Sequence, residues 1–305
     1  MPRHDFSAEE VAGAFSAYGG HGWVVVLTTE PERGLKDEEI DSVAYFFGCD
    51  RNPIRRIGPA SAEMASLMRP GDGSTDSIAM LPGVDINVVP NTARRKRLLV
   101  ADMDSTIIGC ECIDELAKMA GVGPEVTMVT RRAMAGEIGF DEALHTRVAL
   151  LEGAKAELID RVWDEKVRLN PGAEALIRRM VAEGAHTMLV SGGFTVFTER
   201  VAALCGFHEH RANVLEIADG RLTGRIVPPL LGREAKREAL LAAMKARELK
   251  PDEVVAIGDG ANDLGMIEAA GLGVAFRAKP VLAAAANARI DYAGLEGVLA
   301  LQGLA

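Results

Sequence analysis

Short runs of apolar residues recur along most of the chain, and their spacing predicts strands that alternate with helices. Three runs have the length of short buried strands: Leu98–Ala101, Thr187–Val190 and Val254–Ile257. Leu272–Phe276 and Arg289–Tyr292 are weaker strand candidates. Helical spacing lies between them, over 172–183, 195–205, 233–247, 262–270 and 278–286. This alternation predicts an α/β protein with a parallel sheet and crossover helices.

Two stretches interrupt that rhythm. The segment 112–170 contains several helical patterns and no clear strand, which predicts an inserted helical subdomain. The segment 214–227 has Asp219-Gly220 at its centre and predicts a β-hairpin.

The first ninety residues predict a separate, small α/β domain. Ser7 and Glu10 form a possible capping box for a helix to Tyr18, Trp23–Thr28 reads as a buried strand, and 35–47 as an amphipathic helix. Apolar runs at 77–81 and 84–89, separated by Pro82-Gly83, predict a hairpin. A basic connector at 91–97 then leads into the main domain, 98–305, and we expect it to be a solvated linker rather than a nucleic-acid or localisation patch.

Composition narrows the function classes. The 305 residues suffice for two domains, and 48% hydrophobic with 26% charged residues is typical of a globular protein with a sizeable core. A net charge of −10 argues against nucleic-acid binding. No apolar run approaches the roughly 20 residues of a membrane span, and the N-terminus lacks a secretory apolar region. We therefore expect a cytoplasmic protein without nucleic-acid or membrane partners.

The four cysteines are too few for a disulfide scaffold at this length. Cys110 and Cys112 form a C-x-C pair that could suggest zinc, but a zinc site needs further ligands at suitable spacing. The histidines supply no convincing pair, and His208 and His210 lie in a turn-like stretch. Free thiols are the preferred interpretation.

Polar clusters follow each of the three strong strands. They are Asp102-Met-Asp-Ser-Thr106, Ser191-Gly-Gly-Phe-Thr195 and Gly258-Asp-Gly-Ala-Asn-Asp263. Each cluster alone could be a helix cap or a turn. Ligands bind at the carboxyl ends of strands in an open α/β sheet, however, so three such clusters at one sheet edge predict a common site.

The residue types favour phosphoryl transfer. Four carboxyl groups near one place require a cation, and an oxygen-only set suits Mg²⁺. Backbone N–H groups at Ser191–Gly193, which we expect to open a helix, suit phosphate oxygens, and the amine of Lys236 could neutralise phosphate charge. An aspartate is a competent nucleophile toward phosphorus in such a setting. The carboxyl groups are those of Asp102, Asp104, Asp259 and Asp263.

The four motifs in chain order resemble those of the haloacid dehalogenase-type phosphohydrolases: Asp102-x-Asp104-x-Thr106, Ser191-Gly192, Lys236, and Gly258-Asp259-Gly-x-Asn262-Asp263. Residues 102–117 and 140–148 resemble the phosphoserine phosphatase branch of that family, and the likeness extends over 97–295. It implies a Rossmann-like parallel-sheet core with an inserted helical cap at about 112–170. The implied activity is Mg²⁺-dependent hydrolysis of O-phosphoserine, the last step of serine biosynthesis.

The resemblance also implies a role at each matching position. Asp102 would be the nucleophile and Asp104 the general acid and base. The Asp102 carboxylate, the Asp104 carbonyl and Asp259 would hold the metal, with Asp263 behind them. Phosphate oxygens would be held by Ser191, Gly192, Lys236 and Asn262. In the cap, Glu111 would meet the substrate ammonium, Arg147 its carboxylate, and Phe140 would close the pocket.

Other interpretations stay open at this stage. Without the resemblance, Glu111 is a favourable helix-dipole partner, Arg147 a surface charge and Phe140 a core residue. Ion-pumping ATPases of the same superfamily have Lys-Thr after the nucleophile, whereas Asp104 here favours rapid breakdown of a phosphoenzyme. The remaining alternatives are a phosphatase for another small phosphorylated amino acid, a phosphotransferase to homoserine, and an inactive amino-acid sensor.

The N-terminal ninety residues have the size of an amino-acid-binding regulatory domain of the β-α-β-β-α-β type, but their pattern is degenerate. Regulation by serine is therefore one hypothesis for this segment. A dimerisation or packing module that makes the chain a homodimer is the preferred one.

Overall fold

A computed structural model of the chain describes residues 22–49, 53–66, 81–232 and 234–304. The predicted helix from Ser7 to Tyr18 and most of the predicted strand at 77–81 lie outside the described residues.

A seven-stranded sheet forms the centre of the molecule, in the order β11-β10-β9-β5-β6-β7-β8. All neighbouring strands are parallel except β7 and β8, which form the predicted antiparallel hairpin. The α/β class and the parallel sheet are therefore confirmed. The strands are β5 (Leu98–Ala101), β6 (His186–Phe194), β7 (Glu209–Ala218), β8 (Arg221–Val227), β9 (Val254–Gly258), β10 (Leu272–Phe276) and β11 (Ala288–Ile290).

Helices cover both faces of this sheet and also form the insertion after β5. Four of them follow one another between β5 and the next core helix, where the sequence predicts a helical cap: α2 (Cys112–Ala120), α3 (Gly123–Met134), α4 (Phe140–Ala149) and α5 (Glu157–Glu165). The others are α6 (Ala173–Ala182), α7 (Thr195–Cys205), α8 (Ala235–Ala246), α9 (Leu264–Ala269), α10 (Pro280–Ala285) and α11 (Gly297–Leu301). None of the helices in the described ranges is long and apolar enough to cross a membrane.

The described N-terminal residues form an antiparallel sheet in the order β2-β3-β1-β4 with one helix. Its elements are β1 (Trp23–Thr28), α1 (Asp37–Phe46), β2 (Ile54–Gly58), β3 (Ser61–Ser66) and β4 (Asp85–Pro90). β4 pairs with β1, and the predicted hairpin of 84–89 with 77–81 cannot be followed because residues 77–80 lie outside the described ranges. The β2–β3 hairpin was not predicted, because the edge strand β2 carries two arginines in place of an apolar run.

This N-terminal unit, residues 22–90, is tied to the core by buried polar side chains of β4. The Asp85 carboxylate accepts hydrogen bonds from the backbone N–H groups of residues 291, 292 and 293. The Asn87 side chain bonds both the N–H and the C=O of Arg289 at 2.7 and 2.8 Å. These bonds cover the open edge of β11, which would otherwise present unpaired backbone groups. The exact division of the chain at residues 90 and 97 stays a prediction.

The basic connector at 91–97 is not simply solvated, contrary to expectation. Arg94 forms an ion pair with Glu63 at 2.7 Å and donates to the backbone carbonyls of Ala300 and Leu301. The Lys96 ammonium donates to the carbonyls of Ala93 and Asp252 at 2.7 Å. Arg94 thus supplies donors to the last carbonyls of α11, which have no partner within the helix, and Lys96 supplies donors to two backbone carbonyls at the junction.

The histidines also differ from expectation. The His186 and His208 rings stack with their centroids 4.8 Å apart; His208 lies in the predicted turn before β7, whereas His210 lies within β7. His186 Nε2 lies 2.9 Å from the Glu209 carboxylate and 2.6 Å from the guanidinium of Arg247. This cluster lies at the amino ends of β6 and β7, away from the polar strand ends.

Candidate active site

The adjacent strands β9, β5 and β6 bring the three predicted polar clusters to one edge of the sheet. Asp102 follows β5 directly, and its Oδ1 accepts the Met103 N–H at 2.7 Å, which caps a π-type turn over 103–107. Ser105 within that turn has a φ of 56°. The tight turn brings Asp104 next to β6, where its Oδ2 lies 3.4 Å from Ser191 Oγ.

Lys236 of α8 supplies a buried cation beneath Asp102. Its Nζ lies 2.7 Å from Asp102 Oδ2 and 2.6 Å from Asp263 Oδ1, and all three side chains are almost fully buried. Burial and the Asp263 carboxylate raise the pKa of Asp102, while the ammonium of Lys236 opposes that rise. The two carboxylates in turn raise the pKa of Lys236 despite its burial.

Both oxygens of Asp263 already have hydrogen-bond partners. Oδ1 accepts from Lys236, and Oδ2 accepts from the backbone N–H groups of Asp259 and Gly260 at 3.1 and 3.0 Å. Gly258 makes this approach feasible, because a Cβ at that position would lie 2.4 Å from Asp263 Cγ. Asp263 thus shapes the turn after β9 and fixes Lys236.

The Asp259 carboxylate, by contrast, has only long contacts. Thr106 Oγ1 lies 3.5 Å from Oδ1, and the Lys279 ammonium lies 3.4 Å from Oδ2. Burial raises the pKa of Asp259, and the positive charge of Lys279 opposes that rise. Lys279 was not predicted as a site residue. The signal in the sequence was a lysine that follows the strand β10 at the same sheet edge and directly precedes Pro280, the first residue of α10.

Three of the carboxylates could hold a metal ion. Ligand oxygens of Asp102, Asp259 and Asp263 lie within 4.8 Å of one another. Within the described residues, no other group of three or more acidic, histidine or cysteine side chains is spaced to hold a metal ion. The donor set is oxygen alone, which fits a hard divalent cation such as Mg²⁺. Cys110 and Cys112 are free thiols, half-buried and buried respectively.

The second cluster lies on β6. Ser191 Oγ accepts the Gly193 N–H at 2.9 Å and lies 3.4 Å from Asp104 Oδ2. The following helix α7 begins only at Thr195. The N–H groups of Ser191–Gly193 therefore belong to the end of a strand, and the expectation that they open a helix is wrong.

Asp104 joins the core of the site to the cap. Its Oδ1 accepts the backbone N–H of Cys112, the first residue of α2, at 3.0 Å. Glu111 occupies the position before that helix and accepts a hydrogen bond from Ser105 Oγ at 2.7 Å. Burial and the nearby Glu111 carboxylate raise the pKa of Asp104 to about 7, which poises its proton for exchange near neutral pH.

Two residues that the resemblance assigns to the cap, Glu111 and Phe140, lie against the strand-end clusters. Phe140, the first residue of α4, packs on the end of β6, since a Cβ on Gly192 would lie 3.0 Å from its ring. Burial lowers the pKa of Arg147 on the same helix, and the charges of Asp114, Glu111 and Asp104 oppose that fall. Asn262 lies half-buried in the turn after β9. The predicted residues thus come from the strand ends, α8 and two cap helices.

Comparison with known proteins places this arrangement in a family. The sequence profile of the haloacid dehalogenase-like hydrolases matches residues 99–268, which is more than half of the chain. The chain belongs to this family. The matched range contains the three strand ends, Lys236 and the whole cap.

Curated relatives of the chain are phosphoserine phosphatases. Those of Archaeoglobus fulgidus and Streptomyces coelicolor are both 46% identical over 71% and 76% of this chain, and over 63% and 56% of their own length. The enzyme of Polaromonas is 43% identical over 72% of this chain and 96% of its own length. The chain therefore spans about 60% of the first two relatives and nearly all of the third.

Solved structures agree. A probable phosphoserine phosphatase from Vibrio cholerae, in an unliganded form, superposes with a TM-score of 0.76 at 33% identity and covers 92% of this chain and 86% of its own. A phosphoserine phosphatase solved as a phospho-aspartyl intermediate analogue has a TM-score of 0.63 at 36% identity and covers 67% of this chain and 98% of its own. The first alignment extends over most of the chain, and the second over two thirds of it.

Proposed function

We propose that this chain is a phosphoserine phosphatase that hydrolyses O-phosphoserine to serine and phosphate through an aspartyl-phosphate on Asp102. The observation that carries the proposal is that two carboxyl groups on one turn have different surroundings. Asp102 is paired with a buried ammonium, whereas Asp104 has no ion pair with any described residue and a pKa of about 7. One is suited to be a nucleophile and the other to exchange a proton.

In the first half of the reaction, an oxygen of the Asp102 carboxylate attacks phosphorus. The bond between phosphorus and the serine oxygen breaks, and the carboxyl group of Asp104 gives its proton to that oxygen. Lys236 next to Asp102 holds one phosphate oxygen, and the Ser191 hydroxyl, the Gly192 N–H and the Asn262 amide hold the others. Preorganised donors of this kind stabilise the charge of the transition state without reorganisation.

In the second half, water attacks the phosphorus of the aspartyl-phosphate, and the now ionised Asp104 takes the proton of that water. Phosphate leaves and Asp102 is restored as a carboxylate. The first half transfers the Asp104 proton to the serine oxygen and the second half replaces it with a proton from water, so Asp104 serves as acid and then as base. A pKa near the working pH makes both roles efficient.

Mg²⁺ fits the donor set and would be held by Asp102, the Asp104 carbonyl and Asp259. Bound there, it would neutralise phosphate charge. Asp259 suits direct ligation because its present contacts are long. Asp263 suits a supporting role, since both of its oxygens are already used by Lys236 and the backbone.

The cap supplies recognition of the amino-acid part. Glu111 would pair with the substrate ammonium and Arg147 with its carboxylate, since a planar guanidinium matches a carboxylate geometrically. Phe140, packed on Gly192, would close the pocket over the phosphate. The hydrogen bond between Asp104 and the first residue of α2 supports coupling between cap position and chemistry.

A substrate panel tests the proposal. Full-length protein is assayed in Mg²⁺ with O-phosphoserine, other phosphorylated hydroxy amino acids and p-nitrophenyl phosphate, with and without homoserine as acceptor. We expect the highest kcat/KM for O-phosphoserine and release of inorganic phosphate. A rate on O-phosphoserine no better than on p-nitrophenyl phosphate contradicts the proposal, transfer to homoserine favours a phosphotransferase, and an inactive protein favours a sensor.

The biological setting and the N-terminal unit belong to the same proposal. We place the reaction at the last step of serine biosynthesis in the cytoplasm. We assign residues 1–90 to dimerisation or packing, with binding of an amino-acid effector as the alternative. The buried contacts of Asp85 and Asn87 with the core support a fixed rather than a freely moving unit. Native mass with and without excess serine separates the two: serine binding indicates regulation, and a serine-independent dimer indicates dimerisation.

A further inference from the structure

The side chain of Asn213 on β7 is buried and holds two backbone segments together beside the candidate site. Its Nδ2 donates to the carbonyl oxygens of Gly192 and Leu231 at 3.0 and 3.4 Å. Its Oδ1 accepts the N–H of Leu231 at 2.8 Å. Gly192 lies in the polar end of β6, and Leu231 lies in the loop that leads from β8 to α8, the helix of Lys236. One buried amide thus joins the strand end to that loop.

The pairing of β6 with β7 explains why Gly192 needs such a donor. Val190 pairs with Arg211, and Phe194 pairs with Asn213, so the stretch of β6 between these pairs is longer than the stretch of β7. Residues 191–193 therefore form a bulge, in which the ladder of hydrogen bonds is interrupted. A carbonyl that loses its ladder partner needs another donor away from water, and the Asn213 amide is that donor for Gly192.

The peptide group between Gly192 and Gly193 is held at both ends. Asn213 holds its carbonyl, and its N–H donates to Ser191 Oγ at 2.9 Å. The same group lies against the proposed general acid, because a Cβ on Gly193 would lie 2.9 Å from Asp104 Oδ2. A peptide group is planar, so the direction of its carbonyl also decides where its N–H points. Because Ser191 Oγ accepts that N–H, the hydroxyl proton is left to donate to another group.

We propose that Asn213 is a positioning residue for phosphate: it fixes the Gly192–Gly193 peptide group and thereby aims the Ser191 hydroxyl at a phosphate oxygen. This inference rests on the part of the proposed function that places phosphate at Ser191 and Gly192. Asn213 lies behind the strand end and acts through the backbone. Donors that are held in place before the substrate arrives stabilise charge without reorganisation, and Asn213 holds this one.

The two segments that Asn213 joins also contact the first turn of the cap helix α4. A Cβ on Gly192 would lie 3.0 Å from the Phe140 ring, and a Cβ on Gly232, next to Leu231, would lie 2.9 Å from Asp141 Oδ1. A role in cap position is therefore the competing explanation. It differs in its consequence, because the cap is proposed to recognise the amino-acid part of the substrate and not the phosphate.

Inorganic phosphate is the probe that separates these roles, because it lacks the amino-acid part. Its affinity is measured in Mg²⁺ by isothermal titration calorimetry and as inhibition of p-nitrophenyl phosphate hydrolysis. Asn213→Asp keeps the acceptor for the Leu231 N–H and replaces the donor to Gly192 by an oxygen. We expect phosphate to bind about 10-fold more weakly, as the loss of one well-placed hydrogen bond predicts. The kcat/KM should fall about 10-fold to 100-fold for O-phosphoserine and for p-nitrophenyl phosphate alike.

Asn87→Asp is the matched control. Asn87 is also a buried asparagine whose amide bonds the N–H and the C=O of one residue, Arg289, at 2.7 and 2.8 Å, but it lies at the junction with the N-terminal unit. Both variants should lose stability in thermal unfolding, and only Asn213→Asp should lose affinity for phosphate. If Asn213→Asp binds phosphate as tightly as the control does, Asn213 is merely structural and the inference is wrong, whereas the proposed function stands.

A double-mutant cycle tests whether Ser191 mediates the effect. In the Ser191→Ala background, Asn213→Asp should lower kcat/KM for p-nitrophenyl phosphate by at most about twofold, because the hydroxyl that it orients is gone. A loss as large as in the wild type overturns the inference, and so does a loss confined to O-phosphoserine, which assigns Asn213 to the cap.

If Asn213→Asp does not fold, Asn213→Ser is measured by the same criteria, since its shorter side chain cannot reach both segments. A wild-type protein that does not prefer O-phosphoserine overturns the proposed substrate. The phosphate and p-nitrophenyl phosphate measurements decide the role of Asn213 in that case too.

Discussion

Replacing Lys236 by methionine should destabilise the fold and not merely stop catalysis. The substitution preserves most of the side-chain volume and removes the ammonium that lies 2.7 Å from Asp102 and 2.6 Å from Asp263. Both carboxylates remain buried, and Asp259 adds a third negative charge nearby. The structure therefore predicts a stability loss that originates in the active site.

The size of the loss follows from the bonds that remain. Asp102 keeps the Met103 N–H on Oδ1, and Asp263 keeps two backbone N–H groups on Oδ2, so each carboxylate loses one partner. A hydrogen bond to a charged group contributes about 1.5–3 kcal/mol, and breaking a buried ion pair costs about 3–5 kcal/mol. We expect a loss near 3 kcal/mol, because one of the acids can take up a proton.

Thermal and denaturant unfolding measure this loss. Each kcal/mol of lost stability lowers the melting temperature of a domain of comparable size by roughly 2–4 °C. Lys245→Met on the exposed side of the same helix is the control and should melt within about 0.5 kcal/mol of the wild type. Mg²⁺ should raise the melting temperature of Lys236→Met more than that of the wild type. A variant as stable as Lys245→Met would refute the assignment of a buried, charge-compensating role.

Three further changes test other parts of the structure. In Gly258→Ala the new Cβ would meet Asp263 at 2.4 Å, and we expect a loss of about 1–3 kcal/mol with greatly reduced activity; an unchanged melting temperature would contradict the packing. Asp85→Ala should cost about 1–3 kcal/mol and accelerate hydrogen exchange at the amides of 291–293, and unaltered exchange there would refute the tie between the two sheets. His186 has a pKa below its usual 6.5 because burial and Arg247 disfavour its charge. The unfolded chain therefore takes up the proton first as the pH falls below about 7, and stability declines by at most about 1.4 kcal/mol per pH unit; His186→Gln should show a shallower decline in pH-dependent melting, and an identical slope would exclude this origin.

The core strands were predictable because they are short and buried on both faces. Leu98–Ala101 and Leu272–Phe276 occur as predicted, and helix 195–205 has the predicted bounds. The N-terminal unit was less predictable, since β2 lies at a sheet edge and contains Arg55 and Arg56. An edge strand needs no continuous apolar run, so periodicity carries little signal there.

The acidic and phosphate-binding residues of the candidate site were predictable because polar residues directly after buried strands must gather at one edge of a parallel sheet. Arg94 could not be found in this way. Its importance depends on which distant groups it approaches, namely Glu63 and the end of α11. Such contacts arise from three-dimensional packing and leave no spacing rule in the chain.

The position of phosphate during turnover tests the account most directly. Wild-type protein is mixed with O-phosphoserine in Mg²⁺, quenched in acid within the first turnovers, and mapped by peptide mass spectrometry. We predict one phosphate on the peptide that contains Asp102, attached at Asp102 itself, and none in Asp102→Asn. Phosphate on another residue, or steady turnover of O-phosphoserine by Asp102→Asn, would contradict the account.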